Sequence, residues 1–381
     1  MQYRKFPGMD WRPSALGFGC MRFPTADGNP LSGEIDEEKA VNMVRYAIEQ
    51  GVNYVDTAYA YHNGNSEIVL GKALQNGYRE KIKLATKSPT WLLKQPQDFD
   101  KYLTEQLGKL RTDCIDFYLL HGLGRRNWEE VILKLGVLER AEAALKDGRI
   151  RHLGFSFHDD YNSFKQIVDG YDKWDLCLLQ YNYMDTENQA GTRGIRYAGE
   201  QRLGVVVMEP LLGGKLARPP KDIQAIFEGL SKKRSPAEWA LHWVWNQPEI
   251  SLVLSGMSSM EQLQENLEAA EASGIDSLSE EDLDIIEKVR VGFEGKAAIP
   301  CTGCNYCLPC PHNVDISTIL KLYNDGIIYE AMPASKATYT RFIDALERAN
   351  NCVQCKLCEE KCPQKISISQ WMPRVHQTLG S

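Results

Sequence analysis

Four side chains that could act together on a carbonyl group are spaced along the first third of this 381-residue chain. One short apolar run ends at Asp56, a second ends at Lys87 and a third ends at His121, while Tyr61 follows Asp56 in the same loop. Apolar runs of this length are typical of buried strands. We therefore expect a carboxylate, an ammonium, an imidazole and a phenol at the ends of three strands.

These four groups suit proton transfer to a carbonyl oxygen. A phenol has a pKa of roughly 10 in water and is a poor acid near neutral pH. A nearby ammonium favours the phenolate and lowers that pKa, so Lys87 could tune Tyr61 while Asp56 holds Lys87 charged. His121 could donate a hydrogen bond to the carbonyl oxygen. Taken singly, each residue has an ordinary structural explanation, such as a helix cap, a solvated strand end or a core histidine.

The elements that must position these groups alternate regularly. Apolar patterning predicts eight strands, over residues 15–19, 53–56, 83–87, 115–120, 152–156, 176–180, 205–208 and 251–254. Helical patterning predicts intervening helices over residues 36–50, from 66, 98–110, 128–147, 160–169, 187–202, 236–246 and 259–271. This order favours a closed, parallel (β/α)8 TIM barrel over a doubly wound sheet, with its chemistry at the carboxyl ends of the strands.

The motifs "DTAYAY" around Asp56 and Tyr61 and "LLH" before His121 resemble those of the aldo-keto reductases. The resemblance covers about residues 1 to 290 and matches all four positions of that family's catalytic tetrad, including Lys87. It implies an enzyme that transfers hydride from NAD or NADP to a small-molecule carbonyl substrate. It also implies that the first 13 residues form a hairpin that closes the bottom of the barrel.

The same resemblance suggests where a nicotinamide cofactor would bind. Ser156 in "GFSFH" and Gln180 in "LLQYN" stand where the family binds the carboxamide. A run of eight residues, Glu209 to Leu216, resembles the loop that covers the pyrophosphate, and "SGMSSMEQLQEN" resembles the adenosine-phosphate segment. From these two segments we predict cofactor contacts at Pro210, Leu211, Gly213, Ser255, Gly256, Gln262 and Asn266. Gly256 and Gln262 replace the cations that read a 2′-phosphate, so the choice between NAD and NADP stays open.

Composition narrows the class of protein. The net charge of −7 is modest and no basic block occurs, which argues against nucleic acid as a partner. No apolar run reaches the ~18 residues that a membrane helix needs, and we expect no membrane partner. The N-terminal segment lacks the apolar stretch of a signal peptide, so we predict a cytoplasmic protein.

Eight of the 11 cysteines fall near the C-terminus. The first cysteine run comprises Cys301, Cys304, Cys307 and Cys310, and the second comprises Cys352, Cys355, Cys358 and Cys362. The second run has the bacterial ferredoxin spacing, in which the fourth cysteine ligates the other cluster. We therefore predict two 4Fe-4S clusters, one on Cys301, Cys304, Cys307 and Cys362, and the other on Cys352, Cys355, Cys358 and Cys310. Two zinc sites, or one cluster with spare cysteines, are the alternatives.

Two domains follow from these observations, a barrel over residues 1–294 and a small, α-rich, ferredoxin-like domain over residues 295–381. In the second domain, residues 318–327 and 339–349 are predicted to be helical. A nicotinamide passes two electrons as hydride, whereas clusters pass one at a time. The clusters are thus expected either to exchange electrons with a ferredoxin or flavoprotein partner or to be structural. A ferredoxin-coupled enzyme with a bound flavin, and a non-catalytic nicotinamide-binding redox sensor or electron carrier, are the alternative functions.

Overall fold

A computed structural model describes residues 1–29, 32–230 and 232–381. Eight parallel strands close into a barrel in chain order, with the first strand paired to the last. The strands are β1 Leu16–Gly19, β2 Tyr54–Asp56, β3 Lys83–Ser88, β4 Ile115–Leu123, β5 Ile150–Phe157, β6 Leu176–Gln180, β7 Gly204–Met208 and β8 Ile250–Gly256. The predicted (β/α)8 barrel is confirmed.

One principal helix follows each strand, because the parallel connection must return along the outside of the barrel. These helices are Glu37–Glu49, Ser66–Ala73, Gln97–Leu110, Val137–Lys146, Tyr161–Asp169, Gly191–Glu200, Pro236–Trp245 and Met260–Glu271. A further helix, Glu280–Glu294, follows the barrel. The predicted single helix 128–147 is wrong. A short helix, Arg125–Asn127, and a π-helix, Trp128–Leu133, precede the helix Val137–Lys146. Gly136, with a left-handed φ of 62°, separates them from it.

Aromatic side chains pack inside the barrel at its amino-terminal end. Phe6 and Trp11 come from the N-terminal segment and pack against Tyr54 and Phe117, with ring centroids 5.5 to 6.3 Å apart. The backbone N–H of Arg4 donates to the carbonyl of Pro13 at 2.8 Å, closing this segment as a hairpin. The predicted hairpin under the barrel is confirmed, and the polar strand ends lie at the opposite, open end.

The chain divides into two compact units. The barrel unit comprises Met1–Gly213 and Ala237–Leu283, and the cluster unit comprises Gly214–Pro236 and Asp284–Ser381. The cluster unit thus includes a segment between β7 and the next barrel helix, which contains the helix Lys221–Glu228. A division at residues 294 and 295 stays a prediction from the sequence.

The cluster unit has its own apolar core and an internal repeat. The segment Cys310-Pro311-His312-Asn313-Val314-Asp315-Ile316-Ser317 matches Cys362-Pro363-Gln364-Lys365-Ile366-Ser367-Ile368-Ser369 in type and spacing. Each segment leads into a helix, Ile316–Ile328 after the first and Ile368–Leu379 after the second. Val314, Ile316, Ile366 and Ile368 are all buried in one core. The unit is therefore built from two similar halves, a repeat that the spacing of the cysteines alone did not reveal.

The remaining helices of the cluster unit are Met332–Phe342 and the short Leu357–Lys361. The predicted helix over residues 339–349 is wrong beyond Phe342. The guanidinium of Arg348 donates to the carbonyls of Thr340 and Ile343. These bonds satisfy carbonyls that the end of a helix leaves unpaired, so the chain turns there. Among the described residues, no helix is both long enough and apolar enough to cross a bilayer.

Candidate active site and iron–sulfur site

Asp56, Tyr61 and Lys87 come together at the open end of the barrel. The Nζ of Lys87 donates to Oδ1 of Asp56 at 2.5 Å, to the carbonyl of Thr57 at 2.8 Å and to the hydroxyl of Tyr61 at 3.3 Å. Lys87 is 1% exposed and Asp56 is 3% exposed. A buried charge pair of this kind requires good geometry and further hydrogen bonds, and the Thr57 carbonyl supplies one of them.

The pKa of the Tyr61 phenol is raised overall, whereas the sequence predicted that it would be lowered. Burial raises the pKa of Tyr61 above its ordinary value, and the charge of Lys87 lowers it in part, as predicted. Burial also works against the charge on Lys87, but Asp56 and Tyr61 outweigh it and raise the pKa of this ammonium. The site thus holds a protonated phenol beside a charged lysine, which is the state needed for a proton donor.

His121 completes the group. Its ring meets the ring of Tyr61 edge-on with centroids 6.1 Å apart, and it meets Trp91 in the same way at 5.1 Å. Burial and the charge of Lys87 hold the pKa of His121 well below its ordinary value. The Nδ1 atom is buried and has no hydrogen-bond partner among the described residues. A neutral imidazole therefore faces the phenol.

Two further groups of the site escaped the sequence analysis. Cys20 follows β1 directly and is fully buried, and burial, together with the charge of Asp56, raises the pKa of its thiol well above the ordinary value. His158 follows β5, and its backbone N–H donates to the carbonyl of Leu123 at 3.0 Å. The charge of Lys87 contributes to lowering the pKa of His158, after burial. Both residues follow a strand end, so the rule that selected Lys87 and His121 would have found them.

The predicted carboxamide-binding side chains are held in place by neighbours. The backbone N–H of Gly122 donates to Oγ of Ser156 at 2.8 Å. The amide of Gln180 donates to Asp185 at 2.7 Å and accepts from Gln189 at 3.1 Å. Ser156 and Gln180 lie at the carboxyl ends of adjacent strands, β5 and β6. Their orientation is therefore fixed by this chain's own hydrogen bonds.

The predicted adenosine-phosphate segment is similarly ordered. Asn266 donates to Oγ of Ser255 at 2.9 Å, and Oε1 of Gln262 accepts from the backbone N–H of Ser258 at 2.8 Å. Gly256 ends β8 and is exposed. Ser255, Gln262 and Asn266 thus shape the loop that follows β8.

Arg22 links the two predicted phosphate segments and was missed. A Cβ atom added to Gly213 would lie 3.5 Å from Nη2 of Arg22, and one added to Gly256 would lie 2.7 Å from Cγ of Arg22. Pro210 is buried and Leu211 packs on the barrel core beside this loop. A guanidinium between two glycines is well suited to a pyrophosphate, because arginine binds phosphate oxygens through a fork of N–H groups.

The eight C-terminal cysteines surround two cavities. One is lined by Cys301, Cys304, Cys307 and Cys362. The other is lined by Cys310, Cys352, Cys355 and Cys358. Each cavity therefore takes three cysteines from one run and the fourth from the other run, as the spacing predicts.

The donor set of each cavity fits an iron–sulfur cluster. Four thiols and an apolar wall enclose a space, with Leu320 and Ile366 at the first cavity and Val314 and Ile316 at the second. All the cysteines are free thiols. Burial raises the pKa of Cys307 and of Cys358 to about 11. Iron must displace these protons, because the thiolate is the ligand.

Comparison with known proteins agrees with this geometry. A model of the aldo/keto reductase family matches residues 15–291, and a model of a 4Fe-4S dicluster domain matches residues 300–367. The chain belongs to the aldo/keto reductase family of oxidoreductases and carries a 4Fe-4S domain at its C-terminal end. Both features were predicted from the sequence and are confirmed.

Individual relatives cover the barrel. The uncharacterized oxidoreductase YqkF of Bacillus subtilis is 29% identical over 318 residues, which cover 75% of this chain and 96% of the relative. Among solved structures, the aldo-keto reductase AKR11C1 from Bacillus halodurans (holo form) is 28% identical with a TM-score of 0.62, covering 76% of this chain and 96% of that one. An aldo-keto reductase from Klebsiella pneumoniae in complex with NADPH is 23% identical, with a TM-score of 0.61, and covers 76% of this chain and 96% of its own. At 23% identity, the comparison with the Klebsiella pneumoniae structure shows a similar fold and nothing further.

Proposed function

We propose that this protein reduces an aldehyde or ketone with hydride from NADH or NADPH. The observation that carries the proposal is the position of the Lys87 ammonium, 2.5 Å from Asp56 and 3.3 Å from the hydroxyl of Tyr61, at the open end of the barrel. The barrel's similarity to AKR11C1 supports this proposal. The NADPH bound to the Klebsiella pneumoniae relative agrees with a nicotinamide donor.

Each residue of the group has a distinct role in this reaction. Tyr61 donates its proton to the carbonyl oxygen as negative charge develops there. The Lys87 ammonium stabilises the phenolate that remains, and Asp56 keeps Lys87 charged and oriented. The neutral ring of His121 hydrogen-bonds the carbonyl oxygen and orients it toward Tyr61.

The nicotinamide cofactor supplies the hydride. Arg22 would hold its pyrophosphate together with the backbone around Pro210, Leu211 and Gly213. Ser156 and Gln180 would hold the carboxamide, and the loop containing Ser255, Gly256, Gln262 and Asn266 would hold the adenosine. We infer this set from the family resemblance and from the arrangement of Arg22 between Gly213 and Gly256.

We further propose that the C-terminal unit holds two 4Fe-4S clusters, one in each cysteine-lined cavity. In the described residues, no three cysteine, histidine or carboxylate side chains are close enough to share a single ion. Thiols spread around a cavity instead suit a cluster, in which each thiolate binds its own iron. Clusters held by these cysteines would supply single-electron transfer to or from a partner, or would stabilise the unit.

The experiment that tests the enzymatic proposal replaces Tyr61. We expect Tyr61→Phe to lower carbonyl-dependent oxidation of NAD(P)H by about 10²- to 10⁴-fold, since the proton donor is lost. Cofactor affinity, measured by fluorescence titration, should stay close to that of the wild type. Tyr59→Phe is the matched control, because the Tyr59 hydroxyl instead donates to Glu105 at 2.9 Å. Full activity of Tyr61→Phe on a panel of aldehydes and ketones would refute the assignment.

A further inference from the structure

The two cysteine-lined cavities of the cluster unit have similar loops. Residues 301–307 form a loop at the first cavity and residues 352–358 form one at the second, and their cysteines have the same spacing. Left-handed φ values occur at the same two positions of each loop: 69° and 62° at Gly303 and Asn305, and 60° and 65° at Gln354 and Lys356. Because the loops are alike in backbone, the side chains distinguish the two cavities.

One side chain that distinguishes them is that of Glu359. It follows the third cysteine of the second run, where the first run has Leu308. Oε1 of Glu359 accepts a hydrogen bond from the backbone N–H of Ser369 at 2.8 Å and another from the Ser369 hydroxyl at 2.6 Å. Ser369 is buried and lines the second cavity, whereas Leu308 packs against the apolar core of the unit. A carboxylate is therefore fixed beside the second cavity.

The matching position at the first cavity lacks this acceptor. Ser317, the counterpart of Ser369 in the repeat, is buried and lines the first cavity. It is the second residue of the helix Ile316–Ile328, so its backbone N–H is one of the donors that a helix leaves unpaired at its start. The capping carboxylate of Asp315 accepts from Thr318, and among the described residues no carboxylate accepts from Ser317. The donors of Ser317 thus stay available at the first cavity, whereas those of Ser369 bind Glu359.

A fixed negative charge and a free donor have opposite effects on a cluster. A 4Fe-4S cluster becomes more negative when it is reduced, and its potential depends on nearby charge, on hydrogen bonds to its sulfurs and on exposure. A carboxylate therefore disfavours reduction, whereas N–H and O–H donors favour it. Lys356 also lines the second cavity, but it is exposed, so solvent and salt screen its charge more than that of the half-buried Glu359.

We propose that Glu359 and Ser317 make the two cluster sites unequal in reduction potential: the carboxylate of Glu359 lowers the potential at the second cavity, and the donors of Ser317 raise it at the first. Ser369 is then a positioning residue, which holds Glu359 in place. This inference rests on the two proposed clusters, and it goes beyond them because it assigns the first cavity as the site that is reduced first.

The test is an anaerobic redox titration of the full-length, cluster-loaded protein, followed by electron paramagnetic resonance. We expect two separate one-electron steps in the wild type. Glu359→Gln should raise the potential of the lower step alone and increase the ratio of reduced to oxidised cluster at a fixed potential by about three- to tenfold; tenfold corresponds to about 59 mV for a one-electron couple. Ser317→Ala should lower the potential of the upper step alone, by about threefold in the same ratio, because a hydroxyl donor is lost.

Glu360→Gln is the matched control, because it removes the same charge from the next residue, which is exposed. It should change the ratio at either step by less than about twofold, since solvent and salt screen that charge. Ser369→Ala tests the positioning role. It should raise the potential of the lower step part of the way, because the carboxylate of Glu359 loses a hydrogen bond that holds it beside the cavity.

Three results would each overturn the proposal: two clusters that titrate together in the wild type, a lower step that Glu359→Gln leaves unchanged, or an upper step that Ser317→Ala leaves unchanged. Iron analysis accompanies every titration, and each variant should hold about eight iron atoms per chain. If Glu359→Gln loses iron, unchanged steps in Ser317→Ala and Ser369→Ala overturn the proposal instead. A wild-type protein with no iron, or with only about four atoms per chain, would refute the proposed pair of clusters, and this inference with it.

Discussion

The charge on Lys87 is the central electrostatic feature at the scale of residues. Asp56 and Tyr61 keep the ammonium charged although it is buried, while burial raises the pKa of Tyr61 and keeps its phenol protonated. The pKa of the lysine is raised, because an ammonium 2.5 Å from a carboxylate retains its proton. The same charge disfavours protonation of His121.

The lowered pKa of His121 predicts a pH dependence of stability. An unfolded histidine binds a proton below a pH of about 6.5, whereas the folded one stays neutral. This difference therefore leaves the free energy of unfolding unchanged above pH 6.5 and lowers it as the pH falls below that value. Between pH 7.5 and 5.5 this residue should lower the free energy of unfolding by about 1 kcal/mol, and His121→Gln should lack that loss.

Chemical denaturation followed by tryptophan fluorescence checks this, because seven of the eight tryptophans belong to the barrel unit. The comparison is between the wild type and His121→Gln at each pH, so that groups common to both cancel. An identical pH dependence in the two proteins would show that His121 is protonated normally in the fold.

At the scale of elements, the helices Ser66–Ala73 and Gln97–Leu110 support the strand that carries Lys87. The amide of Gln106 donates to the Lys87 carbonyl at 3.1 Å and to Oε1 of Glu67 at 2.5 Å. Glu67 also accepts from Thr86 at 2.7 Å and is fully buried. This network satisfies polar groups behind the strand, so the helix pair fixes the backbone from which Lys87 projects.

The close approach of these two helices depends on Gly71. A Cβ atom at this position would overlap the carbonyl oxygen of Lys109 and lie 3.0 Å from the backbone of Leu110. Gly71→Ala should therefore lower the free energy of unfolding of the barrel by about 1–3 kcal/mol, as overpacking does. Denaturation monitored by tryptophan fluorescence gives the value.

Gly108 offers a control on the facing helix, because a Cβ atom there would meet nothing within 4 Å. Gly108→Ala should be neutral or stabilising by up to about 1 kcal/mol, since alanine favours helices. Equal effects of the two substitutions would mean that backbone preference, and not helix contact, determines the result at Gly71.

At the scale of the whole molecule, two compact units share one chain in an interleaved order. The cluster unit takes Gly214–Pro236 from between two elements of the barrel and then continues from Asp284 to the C-terminus. Inside it each cysteine-lined cavity takes three thiols from one run and the fourth from the other, so neither half of the repeat lines a complete cavity alone. The unit is therefore expected to assemble as a whole.

Because each cavity takes its fourth thiol from the other run, replacing that one cysteine should affect the cluster site lined mainly by the other run. Cys362→Ser should disturb the cavity lined by Cys301, Cys304 and Cys307, although Cys362 belongs to the second run. We expect iron content to fall by about half, from roughly eight atoms to roughly four per chain, with the second cluster retained. Iron analysis and electron paramagnetic resonance of the reduced protein measure this.

Cys114→Ser is the control, since Cys114 is a partly exposed thiol in the barrel unit. It should leave the iron content unchanged. If Cys362→Ser instead removed the cluster bound by Cys352, Cys355 and Cys358, the ligands would belong to separate runs.

Local patterns in the sequence predicted both the strand-end site and the cysteine-lined cavities. Apolar runs that stop at Asp56, Lys87 and His121 reveal strand ends, and a parallel barrel necessarily gathers strand ends at one face. The cysteine spacing likewise predicted that the fourth cysteine of each run lies with the other run, because short loops leave that cysteine pointing elsewhere. These patterns depend on neighbours in the chain, which a sequence displays directly.

Tertiary structure decided what depends on residues far apart in the chain. Arg22 lies beside Gly213 and Gly256 although it is more than a hundred residues from either glycine, and Lys215 pairs with Asp325, which is 110 residues away. The net rise in the pKa of Tyr61 was also beyond the sequence, because burial is a property of the assembled fold. No local pattern marks such contacts, since long-range packing and desolvation, not spacing, create them.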